Sequence, residues 1–120
     1  MHYMSARTSP RTEGATEAAS VLLVHGYGQN RHAWHLPSRS VDTILAKAGF
    51  DVFNLELRGH GASRGVASAK SVEDYVALDL PDAVATIRRM TSGPLFLIGH
   101  SLGGLVCYAA AAALESELDG

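Results

Sequence analysis

The chain has 120 residues, 47% of them hydrophobic and 18% charged, with a net charge of −2 and a single cysteine. That length suits one domain or part of one, with enough apolar material for a core. The weakly acidic balance excludes a basic nucleic-acid surface, and Cys107 alone can form neither an intrachain disulfide nor a cysteine-based zinc site.

Residues 1–20, MHYMSARTSPRTEGATEAAS, carry no apolar stretch. They lack the hydrophobic region of a secretory signal, and Glu13 and Glu17 argue against a transit peptide. They read as a flexible N-terminal tail, with the folded domain at 21–120. VLLVH, from Val21, is a short apolar run ended by Gly26, the pattern of a strand buried on both faces. A helix is expected from about Pro37 or Ser38 to Ala48, with Val41, Ile44, Leu45 and Ala48 on one face and Gly49 ending it. Asp51 to Leu55 is a second strand, leading into a polar Gly-rich loop, ELRGHGASRG, that looks too polar for the core.

Ser71 and Asp74 resemble a capping box, and Val72, Tyr75, Val76, Leu80, Val84 and Ile87 keep a helical period. Pro81 interrupts that period, so a restart capped by Asp79 is expected. A third strand spans Leu95 to Ile98, and a last helix spans about Ser101 to Glu117. Apolar strands alternating with helices predict an α/β fold, a three-stranded parallel sheet with flanking helices. No apolar run approaches the roughly 18–20 residues of a bilayer span.

In such sheets ligands bind beyond the carboxyl ends of the strands. Those ends read His25-Gly26-Tyr27-Gly28, Arg58-Gly59-His60-Gly61 and Gly99-His100-Ser101-Leu102-Gly103-Gly104. The third is G-x-S-x-G between a strand and a helix. An abrupt strand-to-helix turn strains the backbone at the serine, and Gly99 and Gly103 give the flanking chain room. It also sets the serine at a helix N-terminus, where peptide N–H groups favour developing negative charge. The plainer alternative is a strand–turn–helix whose glycines serve packing alone.

Three motifs, VLLVHGYGQNRHAW, NLELRGHGAS and LIGHSLGGL, together resemble the central part of an α/β-hydrolase of the serine esterase and lipase type. The monoacylglycerol-lipase-like and S33-peptidase-like branch is the most similar. Polyester synthase relatives are also similar, but carry cysteine where this chain has Ser101. The resemblance implies Ser101 as nucleophile and an oxyanion hole from the backbone N–H groups of Tyr27 and Leu102. It implies loop-organising roles for His25, Gly26 and His60, no cofactor and no metal. One position departs from the pattern, Glu56, where relatives usually have Asp.

The resemblance also places the triad acid and histidine after the serine, whereas the nineteen residues after Ser101 contain no histidine. A partial domain lacking both is therefore expected. Its alternatives are a non-catalytic binding module and an acyltransferase on the same fold. The expected partner is a small-molecule acyl substrate, with no nucleic acid. The uncharged PLFLI strand should leave an open sheet edge through which the chain self-associates or pairs with another. A cytoplasmic setting is the default that the lone cysteine suggests.

Overall fold

The computed structural model describes residues 4–7, 18–65 and 67–120. Strands β1 (Met4–Arg7), β2 (Ser20–Val24), β5 (Asp51–Leu55) and β6 (Leu95–Gly99) form one sheet in the order β1-β5-β2-β6. β2 pairs in parallel with both β5 and β6, as the alternation of strands and helices requires. β1 adds an antiparallel strand, with Ser5 opposite Asn54. This corrects the loose-tail reading for Met4–Arg7, whose backbone satisfies the otherwise open edge of β5. Residues 1–3 and 8–17 of that tail lie outside the described residues.

β2 shows why VLLV had to be a buried strand. Leu22 and Val24 face one cluster with Phe53, Leu55, Leu80, Val84, Ile87 and Val106. Val21 and Leu23 face the other, with Ala46 and Val52. Helices thus cover both faces of the sheet, and a polar residue at any of these β2 positions would lack a partner.

The first helix is shorter than expected. A two-stranded ribbon, β3 (His35–Leu36) and β4 (Arg39–Ser40), occupies the predicted helix start, and α1 runs only over Val41–Lys47. Its buried positions are Asp42 and Ala46, while Ile44 is exposed. The His35 imidazole donates from Nδ1 to Asp42 Oδ1 at 3.0 Å, an ion-pair geometry that sequence periodicity does not reveal.

Helix α2 (Val72–Asp74) continues without a break through a π-helical turn, Tyr75–Asp79, into α3 (Leu80–Met90). Pro81 therefore does not restart the helix. The wide turn, closed by the Leu80 N–H on the Tyr75 carbonyl, accommodates the residue that lacks a donor. Asp79 does not cap. It has helical dihedrals, and its side chain accepts from Arg58 instead.

Helix α4 covers Leu102–Ala111, and a 3-10 turn at Glu115–Glu117 ends the predicted last helix early. The outer edge of β6 is not bare. Asp119 N–H donates to the Leu95 carbonyl and Leu97 N–H to the Gly120 carbonyl. Arg88, ion-paired with Glu117, anchors this return of the chain. Among the described residues, no helix is long and apolar enough to cross a membrane.

Candidate functional site

The parallel register sets Val24 opposite Leu55 on one side and Gly99 on the other, so the three Gly-rich clusters do emerge at one rim. Ser101 sits at the junction of β6 and α4 with φ 55° and ψ −116°. Among the described non-glycine residues it alone has a positive φ, and its side chain is exposed. Gly99 and Gly103 make that bend feasible. A β-carbon on Gly99 would lie 2.4 Å from the Gly103 carbonyl oxygen, and one on Gly103 would lie 2.1 Å from that of Val24. Neither closeness tolerates a side chain.

The rim loops are tied together by side chains. His25, wholly buried, donates from Nδ1 to the Gly26 carbonyl and accepts the Leu57 N–H on Nε2, at 2.7 and 3.1 Å. It must therefore be the neutral Nδ1–H tautomer. Burial pushes its pKa below the ordinary value, opposed by the Gly26 hydrogen bond and reinforced by nearby His60. His60 is bound in the same way. Its Nδ1 donates to the Arg58 carbonyl, and its Nε2 accepts from Gly28 N–H. Its ring packs 5.0 Å from that of His25, and Tyr27 meets it edge-on at 6.1 Å.

Three further groups, Gln29, Glu56 and Asp79, belong to this framework, in roles that the sequence did not predict. Gln29 Oε1 accepts from Gly26 N–H at 2.9 Å and from His100 Nδ1 at 3.4 Å, joining the loop after β2 to the residue before Ser101. Glu56, expected in a loop too polar for the core, is wholly buried. It accepts from the Arg31 amide and guanidinium and from Ala62 N–H. Asp79, also buried, accepts from the amide and Nε of Arg58. Each carboxylate gains charge-assisted partners that offset its desolvation. The signal was present in the sequence as paired opposite charges, but at separations of 25 and 21 residues only the fold identifies the partners.

The amides of Tyr27 and Leu102 accept no role in this lattice of bonds: among the described residues neither has a hydrogen-bond acceptor. The remaining rim histidines are occupied elsewhere, His100 on Gln29 and edge-on to Trp34, and His35 on Asp42. His32 is exposed, its amide bound to Asn30.

A parallel sheet covered on both faces, with a strained serine at a strand-to-helix bend, defines the α/β-hydrolase class. Comparison with known proteins agrees and narrows it. The family model "Serine aminopeptidase, S33" matches residues 15–120, and the chain belongs to that α/β-hydrolase family. Among curated relatives, protein phosphatase methylesterase 1 of Mus musculus is 29% identical over 101 residues, covering 84% of this chain and 25% of its own. An esterase of Mycobacterium tuberculosis is 32% identical over 95 residues, covering 79% of this chain and 28% of its own. A solved carboxylesterase structure from Nitrososphaera gargenis superposes with a TM-score of 0.79 at 26% identity, covering 99% of this chain and 39% of that one. The chain thus spans less than a third of the length of the curated relatives it matches.

Proposed function

We propose that this chain is the nucleophile-bearing portion of a serine hydrolase acting on carboxylic esters or related acyl substrates. The observation that carries the reading is the positive φ of Ser101 at the end of β6, a strained conformation that presents a side chain at the N-terminus of α4. Ser101 would attack the substrate carbonyl, and the N–H groups of Tyr27 and Leu102 would receive the oxyanion. Their lack of any other acceptor supports that assignment. The esterases among the relatives support an ester or similar acyl bond as target.

Attack also needs a base, and the two histidines that organise the rim, His25 and His60, already have both ring nitrogens engaged. We assign the base and its orienting acid to polypeptide outside these 120 residues. The edge of β6 beyond Leu97, with an apolar groove beside it lined by Gly104, Cys107, Tyr108 and Leu118, is where such polypeptide would pack. A second copy of the chain would compete for the same edge. A cytoplasmic setting accords with one buried free thiol. Without a base, rate enhancement falls to the roughly thousandfold that an oxyanion hole and binding retain.

The test is prolonged exposure of the chain to an activated fluorophosphonate, followed by peptide mass mapping. A slow adduct confined to Ser101 and lost in Ser101→Ala is expected. Adduct scattered over surface serines would overturn the assignment, and an inert Ser101 would favour a non-catalytic binding module.

A further inference from the structure

A second concavity opens on the same rim. It is a cleft of about 410 Å3 between the loop after β2 and the loop after β5, lined among others by Tyr27, Arg58, His60, Arg64, Ser68 and Tyr75. We propose that this cleft is a carboxylate-binding subsite, in which Tyr75, Arg58 and Arg64 hold an acid group on the acyl substrate. The assignment of that acid to a substrate rests on the Ser101 reading; the binding site itself does not.

Tyr75 is the first sign of a built site. It is 7% exposed, in the π-helical turn, and its hydroxyl has no hydrogen-bond partner among the described residues. The hydroxyl is not sealed off, so it stands as an accessible donor on the wall of the cleft. Burial and the neighbouring Asp79 carboxylate raise its pKa, so it stays a neutral donor at physiological pH.

Arg58 is the second sign. Asp79 engages its amide and Nε, which fixes the guanidinium plane. Its two terminal nitrogens have no partner among the described residues, and the residue lines the cleft. A planar fork held in place is suited to a planar carboxylate.

Charge decides the class of ligand. Asp79 neutralises Arg58, and the neutral tautomer of His60 contributes no charge. Arg64 has no ion-pair partner among the described residues, and no carboxylate lines the cleft. Arg64 is thus, among the described residues, the one lining cation without a carboxylate partner, while Asp74, outside the lining, is near enough to act on Tyr75, so the cleft suits a singly charged carboxylate better than a phosphate dianion. Tyr27 lines the cleft while its amide is the candidate oxyanion donor, so the cleft adjoins that position.

The experiment titrates the full Ser101→Ala chain, silenced toward turnover, with monomethyl glutarate, dimethyl glutarate and inorganic phosphate, followed by amide and tyrosine NMR shifts. The half-ester should move Arg64 and Tyr75 resonances and bind about tenfold more tightly than the neutral diester. Tyr75→Phe and the exposed-site variant Arg64→Gln should each weaken the half-ester about five- to tenfold without altering the diester. Equal binding of the two esters, or shifts remote from Tyr75, would overturn the proposal. Phosphate binding as tightly as the half-ester would replace a carboxylate subsite with a general anion site. Failure here leaves the phosphonate result at Ser101 untouched, and failure there leaves this titration untouched.

Discussion

Gly103 lies against Val24 so closely that a β-carbon would stand 2.1 Å from the Val24 carbonyl oxygen and 2.5 Å from that of His25. The first turn of α4 is thereby seated directly on the end of β2. Gly103→Ala must push the helix off the sheet, and a loss of about 3 kcal/mol or more is expected. Gly104 provides the control, since its β-carbon would meet the Gly99 carbonyl oxygen at 3.3 Å, a contact that small shifts relieve. Urea denaturation of the two variants should separate them clearly; equal midpoints would refute the close seating.

Ser101 carries its side chain in a backbone conformation that suits glycine. Ser101→Gly should therefore raise stability by about 1 kcal/mol, the usual cost of such strain less the added flexibility of the unfolded chain. Ser101→Ala keeps the β-carbon and should give no comparable gain. A higher thermal midpoint for the glycine variant alone is the expected result.

His25 gives stability a pH dependence. Its folded pKa is lowered by burial, so below the ordinary value of 6.5 the unfolded chain takes up a proton that the folded chain refuses. Its contribution is full above pH 6.5 and declines as pH falls through that value toward the folded pKa. The His25 ring resonances should titrate below 6.5, and the urea midpoint should fall between pH 7.5 and 5.5. A His25 titration at or above 6.5 would contradict the buried neutral tautomer.

Cys107 is buried on α4, and desolvation pushes its thiol pKa up to about 12. At pH 8 the thiolate is then scarcer than in a free cysteine by about a thousandfold, which slows alkylation despite the greater nucleophilicity of a more basic thiolate. Iodoacetamide should modify the folded chain no faster than global opening allows and the urea-unfolded chain readily. Rapid modification of the folded chain would show that the groove beside Gly104 and Tyr108 exposes the sulfur.

The alternation of buried faces in VLLV, the glycines at the three strand ends and the G-x-S-x-G spacing were legible because each is set by neighbours close in sequence. A strand covered on both sides can hold only apolar residues, and a sharp bend excludes β-carbons on both sides of it. Local order also misled. Ser71 and Asp74 have capping spacing, yet the Asp74 carboxylate accepts from Lys70 N–H and the Ser71 side chain makes no cap bond. Pro81 reads as a break, yet a π turn absorbs it.

What residue order alone determined is a parallel α/β sheet with a serine at a strained bend, since chain stiffness and side-chain burial act over a few residues. Tertiary structure decided the rest. It decided that β1 closes the edge of β5, that Arg31 meets Glu56 and Arg58 meets Asp79, and that His25 and His60 are bound through both ring nitrogens. Hydrogen bonds and ion pairs act only at contact distance, and folding alone brings residues so far apart in the chain to that distance.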